Sequence, residues 1–168
     1  MSWELEGKVF VKGKKLFDIN MNNLKSINTR GYDVDLMYIE PIIPADIERK
    51  YIEATFPEGE EPRYKVLDFN SVLLGLNKAK EELKKSQEKF DKLESIRYTK
   101  EFYSFDDQEK ANYWEDMDYT AEVLEEYKWE VEAIEYTRDL FITASNIFDP
   151  EHYECNDVED VKLCLYAN

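Results

Sequence analysis

A chain of 168 residues, 43% of them apolar, can bury a core without disulfides or metals, and its 12 Tyr and 9 Phe set it apart from a disordered acidic tail. Its 38 acidic residues against 22 basic ones give a formal net charge of −16, which repels nucleic acid and anionic membrane and attracts basic surfaces over about a Debye length. Direct nucleic-acid binding is therefore not expected, and no stretch nears the roughly 18 apolar residues of a membrane span.

The acidity is unevenly placed. It comes to about −3 over residues 1–70, about +2 over 71–98, about −11 over 99–149 and about −4 over the remainder. Two cysteines, Cys155 and Cys164, and no apolar leader behind a basic start make a reduced, cytoplasmic setting the default expectation.

In chain order, Trp3, Leu5, Val9 and Val11 alternate imperfectly, Lys12-Gly13-Lys14-Lys15 supplies a turn, and Leu16 to Asn20 returns as a second strand of a β-hairpin. The polar stretch from Asn20 to Gly31 reads as loop. Tyr32 to Ile39 alternates as a strand, which Pro41 and Pro44 stop because proline cannot donate to a ladder. Ala45 to Phe56 fits either helix or strand. With the turn-like Pro57 to Pro62 and the strand-like Arg63 to Phe69 after it, a second hairpin pairing Lys50–Phe56 with Arg63–Leu67 is the expectation.

From about Asp68 the period changes. Phe69, Val72, Leu76, Ala79, Leu83, Ser86, Phe90 and Leu93 fall in alternating steps of three and four, as do Tyr113, Met117, Thr120, Leu124, Tyr127, Val131, Ile134, Arg138 and Phe141. That is the period of a coiled-coil seam, and two such helices joined by a short connector fold back as an antiparallel hairpin. Asp68, Asn70 and Ser71 are competent N-caps for the first helix, and Asp106 with Glu109 opens the second as a capping box does. The second helix runs to about Ile147 and outlasts its partner. Phe141, Ile142 and Phe148 are therefore expected to pack on the sheet, and Val158 to Tyr166 to add a short strand or helix. The fold class that follows is α+β: a small N-terminal antiparallel sheet (1–67), a long coiled-coil-like helical hairpin (68–149) and an acidic tail packing on the body (150–168).

The second helix carries the sharpest functional signal. Glu115, Asp118, Glu122, Glu125, Glu132 and Asp139 fall near one stripe, with Asp116, Glu126, Glu130 and Glu135 flanking it. Carboxylates three or four residues apart lie about 5–6 Å apart along a helix, a spacing of the same order as successive phosphates on a nucleic-acid strand. The competing explanation is a solvated face, partly neutralised by lysines of the first helix. Trp114 and Trp129 read as hairpin packing beside the seam, although either, if exposed, becomes a hot spot. Phe102 and Tyr103 in the connector are too aromatic for open loop and are expected to pack over the hairpin tip or to touch a partner.

Catalytic and metal signals are weak. Asp33, Asp35 and Glu40 resemble paired metal-holding acids, but no phosphate loop accompanies them. His152, Cys155 and Cys164 fall short of a closed zinc site. The expectation is a non-enzymatic protein without cofactor or metal. It binds a basic protein through Glu115, Asp118, Glu122, Glu125, Glu126, Trp129, Glu132, Asp139, Phe102 and Tyr103, with a nucleic-acid-binding nuclease or effector as a candidate partner. The class analogy is to phage-encoded anti-defence inhibitors that mimic nucleic acid. The alternative is an assembly protein that oligomerises through its hairpin.

Overall fold

A computed structural model describes residues 4–24, 34–60, 62–147 and 157–168. The chain divides into two compact units, one of residues 1–76 with 133–168 and one of residues 77–132. The fold is α+β, and all strands lie in the first unit.

Strands β1 (Leu5–Val11) and β2 (Lys14–Asn20) form the expected hairpin. Its two-residue loop places both Lys12 (φ 50°) and Gly13 (φ 78°) in the left-handed region, the mirror-image turn whose twist matches paired strands. A Cβ at Gly13 would also stand 2.7 Å from the Tyr51 ring, which would have to shift. The other two strands are β3 (Tyr64–Asp68) and β4 (Val161–Ala167). The sheet runs β2-β1-β4-β3, antiparallel throughout. The tail segment is thus a strand and an inner one, entered through a single 3-10 turn (Val158–Asp160) that the Asp157 side chain caps.

Two sequence expectations are corrected here. Residues 34–39 form no strand, and Tyr32 and Asp33 lie outside the described residues. With prolines at 41 and 44, this segment makes one bridge, in which Ile42 N–H donates to the Val66 carbonyl at 2.8 Å. Its Ile39 instead lies against Gly75, where an added Cβ would come within 2.6 Å of the Ile39 side chain. The Lys50–Phe56 strand is likewise absent. Those residues belong to helix α1 (Asp46–Glu53) and the turn after it, while β3 pairs with β4 on one side and, among the described residues, meets only the Ile42 bridge on the other. Acidic Asp46 and Glu48 suit the positive end of this helix, and Arg49 pairs along it with Asp46 at 3.0 Å and Glu53 at 4.0 Å.

The two-residue period sorts the sheet into two faces. On one, Phe10, Val66 and Cys164 pack with Ile52 of α1, bordered by Ile42, Phe56 and Tyr64. Lys8 runs across this border, with its ammonium 5.5 Å and 5.4 Å from the Phe56 and Tyr166 ring centroids and 2.9 Å from Asp18. The other face presents Leu5, Val9, Val11, Leu67, Val161, Leu163 and Leu165, all buried. The same unit holds the buried ends of the long helices, where the Phe69 and Phe141 rings meet at 6.2 Å. Phe141 is buried as expected, Ile142 is exposed, and Phe148 lies outside the described residues.

Helix α2 (Phe69–Ile96) is capped reciprocally: the Ser71 amide donates to the Asp68 carboxylate at 2.8 Å, and the Asp68 amide donates to Ser71 Oγ at 3.1 Å. The connector contains a short helix α3 (Lys100–Ser104). Helix α4 (Asp107–Ser145) starts with the Glu109 amide donating to Asp106 Oδ1 at 2.8 Å, and its 39 residues extend about 58 Å. No described helix is long and apolar enough to cross a membrane.

Leu163 has no exposed surface and sits on the inner strand, so Leu163→Ala should cost about 2–5 kcal/mol in a urea titration, whereas Leu74→Ala on an exposed helix position should stay within about 0.5 kcal/mol. Alkali should act on the same core. Burial pushes the Cys164 thiol up to about 12, and burial with the hydrogen bond to Glu53 pushes the Tyr64 hydroxyl up to about 12. Both groups ionise earlier in the unfolded chain, so their stabilisation is whole below about pH 9 and fades as pH climbs toward 12. The urea midpoint should therefore fall between pH 9 and 11 (about two pH units).

Candidate docking face on the second long helix

The face is defined by what lies behind it. In the second unit Ala79, Ser86, Tyr113, Met117, Thr120, Leu124 and Val131 of the predicted seam are buried, and Leu83, Phe90, Leu93 and Tyr127 are partly so. The Tyr113 hydroxyl donates to the Leu93 carbonyl at 2.7 Å and ties α4 to α2 near the connector. Phe102 of α3 packs over this end, with its ring 5.1 Å from Tyr113, 5.7 Å from Phe105, 6.1 Å from Tyr103 and 6.2 Å from Trp114. Tyr103 itself remains 76% exposed.

A helix turns about 100° per residue, so fixing the seam inward fixes the opposite face outward. Glu115 and Glu122 point away from the seam, and Asp118, Glu125 and Glu132 stand between that face and the flank, each one step past a buried seam residue. Glu126 stands one step around from Glu125, and all six are exposed. Helix α4 carries twelve acidic residues against three basic ones. Among the described residues, no lysine or arginine nitrogen lies within 4.0 Å of any of these six carboxylates. The neutralisation by the first helix that the solvated-face explanation includes is not made at these positions: Lys85, for example, pairs at 3.3 Å with Glu82 of its own helix. Asp139 stands apart from the rest. It belongs to the other unit and pairs with Arg138 at 3.1 Å.

Trp114 meets the Phe102 and Tyr113 rings as hairpin packing requires, yet Trp114 and Trp129 also stay 42% and 45% exposed. Trp129 falls within the acidic stripe, four residues after Glu125 and three before Glu132. Trp114 follows the buried Tyr113 by one residue and so stands on the flank, one turn before Asp118. Tyr98, which sequence reasoning did not single out, is 69% exposed beside it. The available signal was position: a residue one step from a seam residue points sideways, however apolar it is.

An open groove of about 450 Å³ lies in the same unit, walled by Lys89 and Lys92 on one side and Asp116 and Tyr119 on the other, over Leu93, Ile96 and Thr120. No group of three or more His, Cys, Asp or Glu placed to hold a metal occurs among the described residues. Asp35 and Glu40 are exposed, while Asp33, His152 and Cys155 lie outside the described residues. Cys164 is buried with its pKa raised, which disfavours the reactive thiolate. Compared with known protein families, curated proteins and solved structures, the chain shows no significant match.

Like charges at helical i,i+3 and i,i+4 spacing repel. Glu122→Gln and Glu125→Gln should each raise stability by about 0.2–0.5 kcal/mol at low salt, read as a higher thermal midpoint, with the gain shrinking as salt is added. A lower midpoint would mean that these carboxylates stabilise the helix.

Proposed function

We propose that this protein is a non-catalytic binding protein whose α4 docks on the basic surface of a partner protein. The observation that carries this reading is the row Glu115, Asp118, Glu122, Glu125, Glu126 and Glu132 on α4, exposed and without ion-pair partners among the described residues, set against the buried seam. Such a row costs helix stability, so stability alone does not account for it. Its spacing suits a surface that grips phosphates, which makes a nucleic-acid-binding protein the favoured partner and competitive occlusion of its groove the favoured mechanism. Charge of this density speeds association at low salt and loses its hold as salt rises. An inhibitor of the phage anti-defence type is the class analogy that fits this mechanism.

Oligomerisation through the hairpin is the weaker reading. The apolar seam is already buried within one chain, and like-charged α4 faces repel one another.

The test is capture from a lysate with the protein as bait, eluted in salt steps with and without excess duplex DNA. Retained proteins should bind nucleic acid, elute as salt rises and be displaced by the duplex, and a Glu122→Lys, Glu125→Lys, Glu132→Lys variant should lose them. Retention that ignores salt, DNA and the triple variant would overturn the docking reading.

A further inference from the structure

The turn between α2 and α4 already holds one guanidinium. Arg97 Cζ lies 4.6 Å from the Tyr98 ring centroid and 5.9 Å from that of Trp114, and its Nη2 donates to the Tyr98 hydroxyl. Among the described residues no carboxylate lies within 4.0 Å of it. Tyr98 and Trp114 stay exposed around it, and Phe102 and Tyr113 support the Trp114 ring from behind, edge-on at 6.2 Å and 5.2 Å. Glu115 adjoins Trp114 in sequence, and Asp118 follows it by one helical turn.

We propose, on the footing of the docking reading above, that these rings form a seat for an arginine of the basic partner, and that Arg97 occupies it in the free protein. A partner arginine can stack on the rings and reach the exposed carboxylates of Glu115 or Asp118, a pairing that Arg97 does not make. A planar guanidinium gains from both contacts. A lysine ammonium, a strongly hydrated point charge, gains mainly from the carboxylates. The stripe therefore attracts any basic surface, and the seat selects for arginine. Trp, Tyr and Arg are also the residue types that dominate interface energetics, and an exposed aromatic patch beside a charged rim is a natural anchor.

The experiment uses the full chain and two labelled peptides of equal charge, nona-arginine and nona-lysine, with affinities read by fluorescence anisotropy at near-physiological salt. The wild type should bind nona-arginine about two- to fivefold tighter than nona-lysine. Arginine's general preference for carboxylates would survive Trp114→Leu, whereas the share due to the seat should vanish, so the ratio should drop. Arg97→Ala should tighten nona-arginine more than Lys100→Ala does, although both remove one positive charge from the same turn. Neither of these two substitutions removes buried packing, so the comparison stands even if the tryptophan variant folds poorly. An unchanged peptide ratio in Trp114→Leu, or equal gains from Arg97→Ala and Lys100→Ala, would overturn the seat and leave the docking face standing. If neither peptide binds at any salt, the docking face fails and the seat with it.

Discussion

Everything else about the helical part of this chain follows from one constraint, the alternating three- and four-residue spacing of apolar side chains along α2 and α4. That spacing closes a seam, and a closed seam sets the rotation of each helix about its axis. Once Tyr113, Met117, Thr120, Leu124 and Val131 are turned inward, the facing direction of every other side chain on α4 is decided. Glu115, Asp118, Glu122, Glu125, Glu126 and Glu132 are in water because the seam turns them outward, whereas Glu130, on the flank, is buried. The half-exposed tryptophans follow from the same geometry: Trp114 is one step off the seam and Trp129 is across from it.

The seam also rigidifies what it displays. A charged loop would have to be ordered on binding, whereas carboxylates on a packed helix keep their spacing beforehand and lose less freedom on docking. The first unit contributes in another way, by burying the end of α4 around Phe141 while the sheet supplies a core independent of the acidic face. Two layers of the problem are thereby separated, since substitutions on the outer face of α4 leave the buried leucines of β4 untouched.

Periodicity made the helices legible, and it made the sheet only partly so. Eight to nine positions in strict three-four alternation leave few alternatives for α2 and α4, and the turn residues Lys12-Gly13 mark β1 and β2 equally well. The errors gathered where local pattern and tertiary pairing compete. Ala45 to Phe56 has both periods, and the strand that pairs with β3 in its stead comes from more than ninety residues later in sequence. Nothing within Ala45–Phe56 announces that pairing. The acidic face was legible as a stripe. The exposure of Tyr98 and Trp114 was not, because an aromatic residue near a seam is apolar whichever way it points.

The position of β4 between β1 and β3 bears on how the protein is made. Until β4 arrives, β1 has an open flank and β3 has no sheet neighbour among the strands, and the intervening segment must first produce both long helices. A nascent chain would hold these unpaired edges in waiting while the hairpin, built from near neighbours in sequence, is free to form. Open edges of this kind are sites of wrong pairing between chains. The part of the molecule best suited to keeping such chains apart in that interval is α4, whose surplus charge is already in place when the sheet is still unfinished.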